Sequence, residues 1–353
     1  REWAPTAFDV EFGQINTAAG DTRLGVSQQF QLPAVYRRQR ELLTQQYRIS
    51  QSGLRRQEQE LAWQVKTLYF ELLTGAEKRR ILQEKDSVYA VYVQRADLRL
   101  RSGETNVLEK NAAETERLLL RQQLDQVETE LYLAGRQLQT LLNGTTPVTA
   151  VTGPFRYRPV PASDSSRLGQ HPVLQIQQQQ IDLAAARQSV EQSKLLPSFS
   201  LGYSNQSIVG WQQDKSGTDI YYDAGKRFST VSIGVQAPIF ARAQKTRVAA
   251  AGLLQQQETQ QLQVLEQTLR QEYESALARY RAAETRIQQY ESTLLPNAQN
   301  LLTIADRQLQ AGEINYINWL LITRQAFDIR QGYLDAVQAA NRAAFEVEYF
   351  LNE

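Results

Sequence analysis

Residues 26–33 read VSQQFQLP and residues 231–238 read VSIGVQAP, so a shift of 205 positions lays one proline-ended octet on another. Arg37 then falls on Arg242. Further along, a shift of 209 lays Gly103-Glu104-Thr105-Asn106 on Gly312-Glu313-Ile314-Asn315 and Leu142-Asn143 on Leu351-Asn352. A weaker match aligns Pro5-Thr6-Ala7-Phe8 with Pro197-Ser198-Phe199-Ser200. The chain therefore reads as a duplication, each half running strand, loop, strand, proline, very long helix, glycine turn, shorter helix. The first repeat is 1–143, with a β-hairpin at 5–33 and a helical hairpin at 34–143. A linker at 144–170, rich in Pro, Gly, Ser and Thr, leads to the second repeat at 171–353. That repeat holds a helix at 172–196, a β-hairpin at 197–238 and a helical hairpin at 239–353. The first repeat's counterpart of helix 172–196 is expected to precede residue 1, so the sequence is expected to begin inside the fold.

Proline placement separates helix from the rest. No proline lies between Pro33 and Pro147, and after Pro238 only Pro296 occurs. Proline breaks helix interiors, and these stretches are rich in Leu, Ala, Gln, Glu and Arg, which favour helix. Apolar residues there step by three and four: Leu61, Val65, Leu68, Leu72; then Leu124, Val127, Leu131, Ala134, Leu138, Leu141; then Ile329, Tyr333, Val337, Ala340, Ala344, Val347. That is a seam for helices packed lengthwise at a shallow angle. A single helix over 34–102 would run about 100 Å at ~1.5 Å per residue.

Four short stretches alternate instead. Phe8, Val10 and Phe12 alternate with Asp9, Glu11 and Gly13, and Leu24, Val26, Phe30 and Leu32 interleave with Gly25, Ser27, Gln29 and Gln31. Phe199, Leu201 and Tyr203 do so against Ser198, Ser200 and Gly202, as do Val231, Ile233, Val235 and Ala237 against Thr230, Ser232, Gly234 and Gln236. This fits transmembrane β-strands, with Asp9 and Glu11 candidates for a lumen, and it equally fits two soluble hairpins with one buried face. In a bilayer four strands cannot close a barrel and open edges are not tolerated, so copies must pool strands. Three copies would supply about twelve, a sensible closed barrel.

Composition excludes several functions. Lys+Arg and Asp+Glu number 39 and 38, a balance that gives no basic surplus for nucleic acid. There is no cysteine and one histidine, His171, so neither a thiolate nor a His-rich metal centre is available. His171, followed by Pro172, is assigned to the start of a helix. No P-loop, dinucleotide fingerprint or nucleophile elbow occurs, so no catalytic residue, metal site or cofactor is expected. No apolar run reaches the ~18 residues of a membrane helix. Tyr221-Tyr222-Asp223 falls in a long loop, 205–227, expected to face outside the cell.

The order of elements, the duplication, the FQLP and VQAPIF junctions and the LRSGETN and LQAGEIN turns resemble TolC-type outer-membrane efflux channels. LLPNAQNLL followed by AGEINYINWLL resembles members serving heavy-metal pumps of the resistance–nodulation–division class, and also the TolC-like segment fused to some bacteroidete-type pumps. The likeness covers essentially the whole chain. It implies a mainly α fold with a small β part: a homotrimer forming a twelve-stranded outer-membrane β-barrel continued by a periplasmic helical tunnel. The linker would lie in an equatorial belt. It implies an exit duct for metal cations or small toxic compounds, with a periplasmic adaptor (membrane fusion) protein, an inner-membrane pump and outer-membrane lipid as partners. By position, Gly103, Glu104, Thr105, Asn106, Gly312, Glu313, Ile314 and Asn315 are the adaptor-contacting tips. Read without the resemblance, each glycine simply turns a helix. An acidic residue six places after the tip glycine marks a periplasmic constriction in many members; Glu109 fits, while Asn318 stands there in the second half. Leu309 and Ile314 occupy the places of a tyrosine–arginine latch known in some channels. The alternative from a different class is a soluble periplasmic coiled-coil adaptor or structural protein.

Overall fold

The computed structural model describes residues 5–15, 20–149, 153–158 and 165–351. Residues 16–19 of the expected first hairpin, 150–152 and 159–164 of the linker, and Asn352 lie outside the described residues. Among the described residues six α-helices and six strands occur in the order β1 (Ala7–Gly13), β2 (Asp21–Gln31), α1 (Pro33–Arg101), α2 (Val107–Leu141), α3 (Pro172–Ser193), β3 (Ser198–Ser207), β4 (Gly210–Gln213), β5 (Asp219–Tyr222), β6 (Arg227–Gln236), α4 (Arg242–Gln289), α5 (Leu295–Gln310) and α6 (Tyr316–Leu351). The stretches read as helix and as the four main strands carry those elements, except that the long helix expected after Pro238 is divided at Tyr290–Leu294 into α4 and α5. The 205–227 segment is not a plain loop: β3 continues to Ser207, and β4 pairs with β5 as a small hairpin. Trp211 and Tyr221 meet edge to face across it at 5.5 Å. In the linker, Ser165–Gln170 form a turn of 3-10 helix.

Two compact units are present, and both draw on each repeat. One comprises residues 1–53 and 175–264, and in it the two β-hairpins join edge to edge as an antiparallel sheet ordered β1-β2-β3-β6. Its register aligns Phe8, Val26, Tyr203 and Val231 in one row, and Phe30, Phe199 and Val235 in another. Because opposite residues share a face, the alternation read along each strand becomes a continuous apolar surface. That surface is uncovered: Phe8, Val10 and Phe12 are 77%, 74% and 82% exposed, and Ile233 is 78% exposed. The other face carries Ser27, Gly202 and Ser232 side by side, then Gln29, Ser200 and Gly234. A Cβ on Gly202 would stand 2.6 Å from Ser232 Oγ, so glycine there lets the strands crowd together on the polar side.

The other unit, residues 54–174 and 265–353, is helical. Helix α6 buries Ala336, Val337 and Ala340 against Ala283 and Ile287 of α4, and Phe327 and Leu334 against Ile81 of α1. Val127 and Leu138 of the α2 seam are buried. A ladder of ion pairs fixes the antiparallel register of α1 and α6: Lys66–Glu348 at 2.9 Å, Glu71–Arg342 at 2.6 Å, Glu84–Arg330 at 2.7 Å and Lys85–Asp328 at 3.7 Å. Lys85 is buried, and desolvation pushes its ammonium below the ordinary lysine value while Asp328 opposes the shift.

Helices α4 and α5 are separated by a π-helical turn, Tyr290–Leu294, in which Leu295 N–H donates to Tyr290 C=O. Pro296 follows at the start of α5; it has no N–H to give, and the widened turn absorbs the missing bond. Linker residues 153–158 strap this region. Arg156 reaches Glu291 at 2.6 Å and Glu284 at 2.9 Å, while Asn341 accepts from Tyr157 N–H and donates to Phe155 C=O.

Candidate functional site

Each helical hairpin reverses through the same turn. Glu104 N–H donates to Arg99 C=O at 2.8 Å and Gly103 N–H to Leu100 C=O at 3.2 Å. At the second tip Glu313 N–H donates to Gln308 C=O at 2.9 Å and Gly312 N–H to Leu309 C=O at 3.1 Å. This is the Schellman arrangement, in which the residue after the cap enters the left-handed region. Gly103 and Gly312 do so with φ of 76° and 75°. Each following helix then starts on an asparagine: Asn106 Oδ1 accepts from Glu109 N–H at 3.1 Å, and Asn315 Oδ1 from Asn318 N–H at 2.9 Å. An asparagine at that place satisfies a donor that would otherwise be orphaned. The GETN and GEIN repeats are thus one structural device used twice.

Gly103, Glu104, Asn106, Gly312, Glu313 and Asn315 are exposed, while Thr105 and Ile314 are half-buried. Ile314 packs against the core formed by Leu82, Tyr89, Tyr92, Leu120, Tyr316 and Trp319. Val107 and Leu108, the two residues after Asn106, are 58% and 67% exposed and add apolar surface at the first tip. Glu109 is held rather than free: its carboxylate accepts from Thr105 Oγ1, meets Arg99 at 3.4 Å, and its side chain is only 12% exposed. Asn318 is exposed at the matching place.

Behind each tip lies a clasp that motif reading misses. Asp97 accepts from Lys110 Nζ at 2.7 Å, and Asp306 accepts from Trp319 Nε1 at 2.6 Å. Both pairs are 13 residues apart and the second repeats the first at the 209 shift. The sequence signal was present, an aspartate at the same offset before each tip glycine, but the donors differ in kind. Tyr92 ties the two hairpins together by stacking on Tyr316 with ring centroids 3.7 Å apart, and Arg99 lies 5.8 Å from the Tyr316 ring. Burial raises both tyrosine hydroxyls well above the ordinary tyrosine value.

His171 lies away from the tips, buried, with its ring edge-on to Tyr349 at 5.3 Å. Its Nδ1 accepts from Val173 N–H at 3.3 Å, so it caps the start of α3 as expected. Among the described residues no three His, Asp or Glu side chains converge as a metal centre, and no helix is long and apolar enough to cross a membrane.

Paired helical hairpins with duplicated tips, together with a four-stranded sheet apolar on one face, define the fold of the TolC-type outer-membrane efflux channels, and this chain has that fold. In sequence it is similar to the cobalt-zinc-cadmium resistance protein CzcC of Cupriavidus metallidurans, 21% identical over 294 residues that cover 82% of this chain and 66% of CzcC. In structure it is similar to CusC, with a TM-score of 0.80 and 21% identity over 98% of this chain and 82% of CusC. The outer-membrane channel CmeC of Campylobacter jejuni gives 0.80 at 14% identity, covering 98% of this chain and 76% of CmeC. The open-state MtrE channel of Neisseria gonorrhoeae gives 0.78 at 17%, covering 98% and 80%. No protein-family model matches the chain.

Proposed function

We propose that three copies of this chain form the outer-membrane exit duct of a tripartite efflux pump in a Gram-negative bacterium, a passive conduit and not an enzyme. The observation that carries the reading is the sheet. Its two edges, β1 and β6, lie on opposite sides of a four-stranded antiparallel order, so β6 of one copy and β1 of the next run antiparallel. Pairing them around a threefold axis would close about twelve strands and leave no open edge. The apolar face, exposed in a single copy, then meets lipid, and the Ser, Gly, Gln and Asp face lines the passage. A soluble adaptor would need that apolar face covered by protein, and extraction without detergent would favour it.

The exposed tips supply the contact with a periplasmic adaptor, which links the duct to an inner-membrane pump of the resistance–nodulation–division class. Export of metal cations is supported by the likeness to CzcC, a cobalt-zinc-cadmium resistance protein; small toxic compounds are the other substrate class. Glu109 and Asn318 would stand near the periplasmic constriction, with Glu109 largely neutralised by Arg99.

Reconstitution in planar bilayers with mass measurement in detergent tests the reading: a trimer with stepwise conductance is expected, and a water-soluble monomer without conductance would sink it. Glu104→Arg with Glu313→Arg should weaken adaptor engagement and leave the trimer intact; unchanged efflux would reject the tip assignment.

A further inference from the structure

One end of the sheet is marked by Gln31, Ser198 and Gln236 standing side by side, and there the chain changes three times between strand and helix. Just past β6, Ile239 and Phe240 are 86% and 97% exposed, following in the chain the exposed Val231, Ile233 and Val235 of that strand. Beside them α1 and α4 begin. Neither has an acidic residue in its first turn, so the positive end of each helix is unneutralised.

Cations add to that charge. Arg37 and Arg40 on α1, and Arg242 and Lys245 on α4, are exposed and sit within about 10 Å of the helix starts. None of the four has a carboxylate partner among the described residues. The nearby acids are already engaged: Glu191 pairs with Lys194 at 2.5 Å and accepts from Gln244, and Glu41 accepts from Gln45. Positive side chains at helix N-termini are electrostatically unfavourable, and four together call for an external counter-charge.

We infer that this rim binds anionic phospholipid, its phosphodiester held by Arg37, Arg40, Arg242 and Lys245 and its acyl chains lying against Ile239, Phe240 and Val235. The inference rests on the sheet being the membrane-embedded part. Fully exposed apolar side chains next to unpaired cations match a lipid, which has both an anionic head and a hydrocarbon tail; an acidic protein surface would match only the cations.

The test uses the purified trimer in vesicles of phosphatidylcholine alone and of phosphatidylcholine with phosphatidylglycerol in equal parts, followed by mass measurement of co-purified lipid. The wild-type chain should retain phosphatidylglycerol over phosphatidylcholine. Arg37→Gln, Arg40→Gln, Arg242→Gln and Lys245→Gln should each lower that preference by about fivefold, with helix content and insertion into phosphatidylcholine retained. Equal retention of the two lipids by the wild type, or an unchanged preference when all four substitutions are made in one chain, overturns the inference alone. Phe240→Ser should loosen the hold on both lipids and keep the trimer. If it dissociates the trimer and leaves lipid preference intact, the surface belongs to the neighbouring copy and the inference is overturned. Failure to insert into either vesicle overturns the channel reading and this inference with it.

Discussion

Trp319 donates its indole N–H to the Asp306 carboxylate at 2.6 Å, closing the second helical hairpin behind its turn as Lys110 and Asp97 close the first. The duplication preserved the acceptor and let the donor diverge, from an ammonium that forms an ion pair to a ring that also enters a core. Trp319 therefore does two jobs, since it is buried beside Tyr92 and Tyr316 as well.

These jobs separate by substitution. Trp319→Phe keeps a ring in the core and removes the hydrogen bond, and should cost about 1.5–3 kcal/mol because the acceptor is a carboxylate. Trp319→Ala should cost about 3–5 kcal/mol because it also opens a cavity. Urea midpoints of the two variants check this; an unchanged midpoint in Trp319→Phe would mean that the bond to Asp306 contributes nothing, and equal losses would mean that the ring's packing adds nothing beyond it.

The two faces of β6 should respond oppositely to charge. Ile233→Lys places an ammonium on the exposed apolar face and should weaken membrane insertion by up to about 2–4 kcal/mol. Ser232→Lys, on the polar face, should leave insertion nearly unchanged. The fraction of folded protein recovered in vesicles reads the difference, and similar recovery of both variants would contradict the assignment of faces.

His171 should make stability fall in mild acid. Burial holds its imidazole below the ordinary value of 6.5, so the unfolded chain takes up a proton that the folded chain resists. The contribution is complete above the unfolded value and is lost as pH falls through the folded one. Urea midpoints from pH 8 to about pH 5 should therefore decline, and His171→Gln should flatten the decline. An identical slope in the variant would assign the pH dependence to other groups.

Gly332 on α6 faces the Tyr290 hydroxyl at the start of the π-helical turn, and any Cβ there would collide with it. Gly332→Ala should cost about 1–3 kcal/mol through overpacking. Adding Tyr290→Phe, which removes the hydroxyl, should recover part of that loss. Strict additivity in the double-mutant cycle would show that the collision is relieved elsewhere.

Much of this architecture was legible in the chain because it rests on local rules. The absence of proline after Pro33, the three-four spacing through Val127 and Leu138, and alternation in Val231-Ser232-Ile233-Gly234-Val235 each bind a residue to neighbours a few positions away. Gly103 and Gly312 could be read for the same reason, since a left-handed residue closing a helix depends on its own turn. The β4–β5 hairpin is not legible in the sequence because its strands are short, four residues each, and its Trp211–Tyr221 contact spans a turn that alternation alone does not reveal.

By itself the sequence determined the repeats, the two periodicities, the glycine turns and the lack of any thiol chemistry. Only the tertiary structure decided that β2 pairs with β3, so that the two hairpins share one sheet, and that Glu109 spends its charge on Arg99. It also decided that Asp306 meets Trp319 where Asp97 meets Lys110. The physical reason is range: backbone propensity and side-chain period act over one or two turns, whereas strand partnership and ion pairing depend on which surfaces, distant in sequence, come to lie against each other.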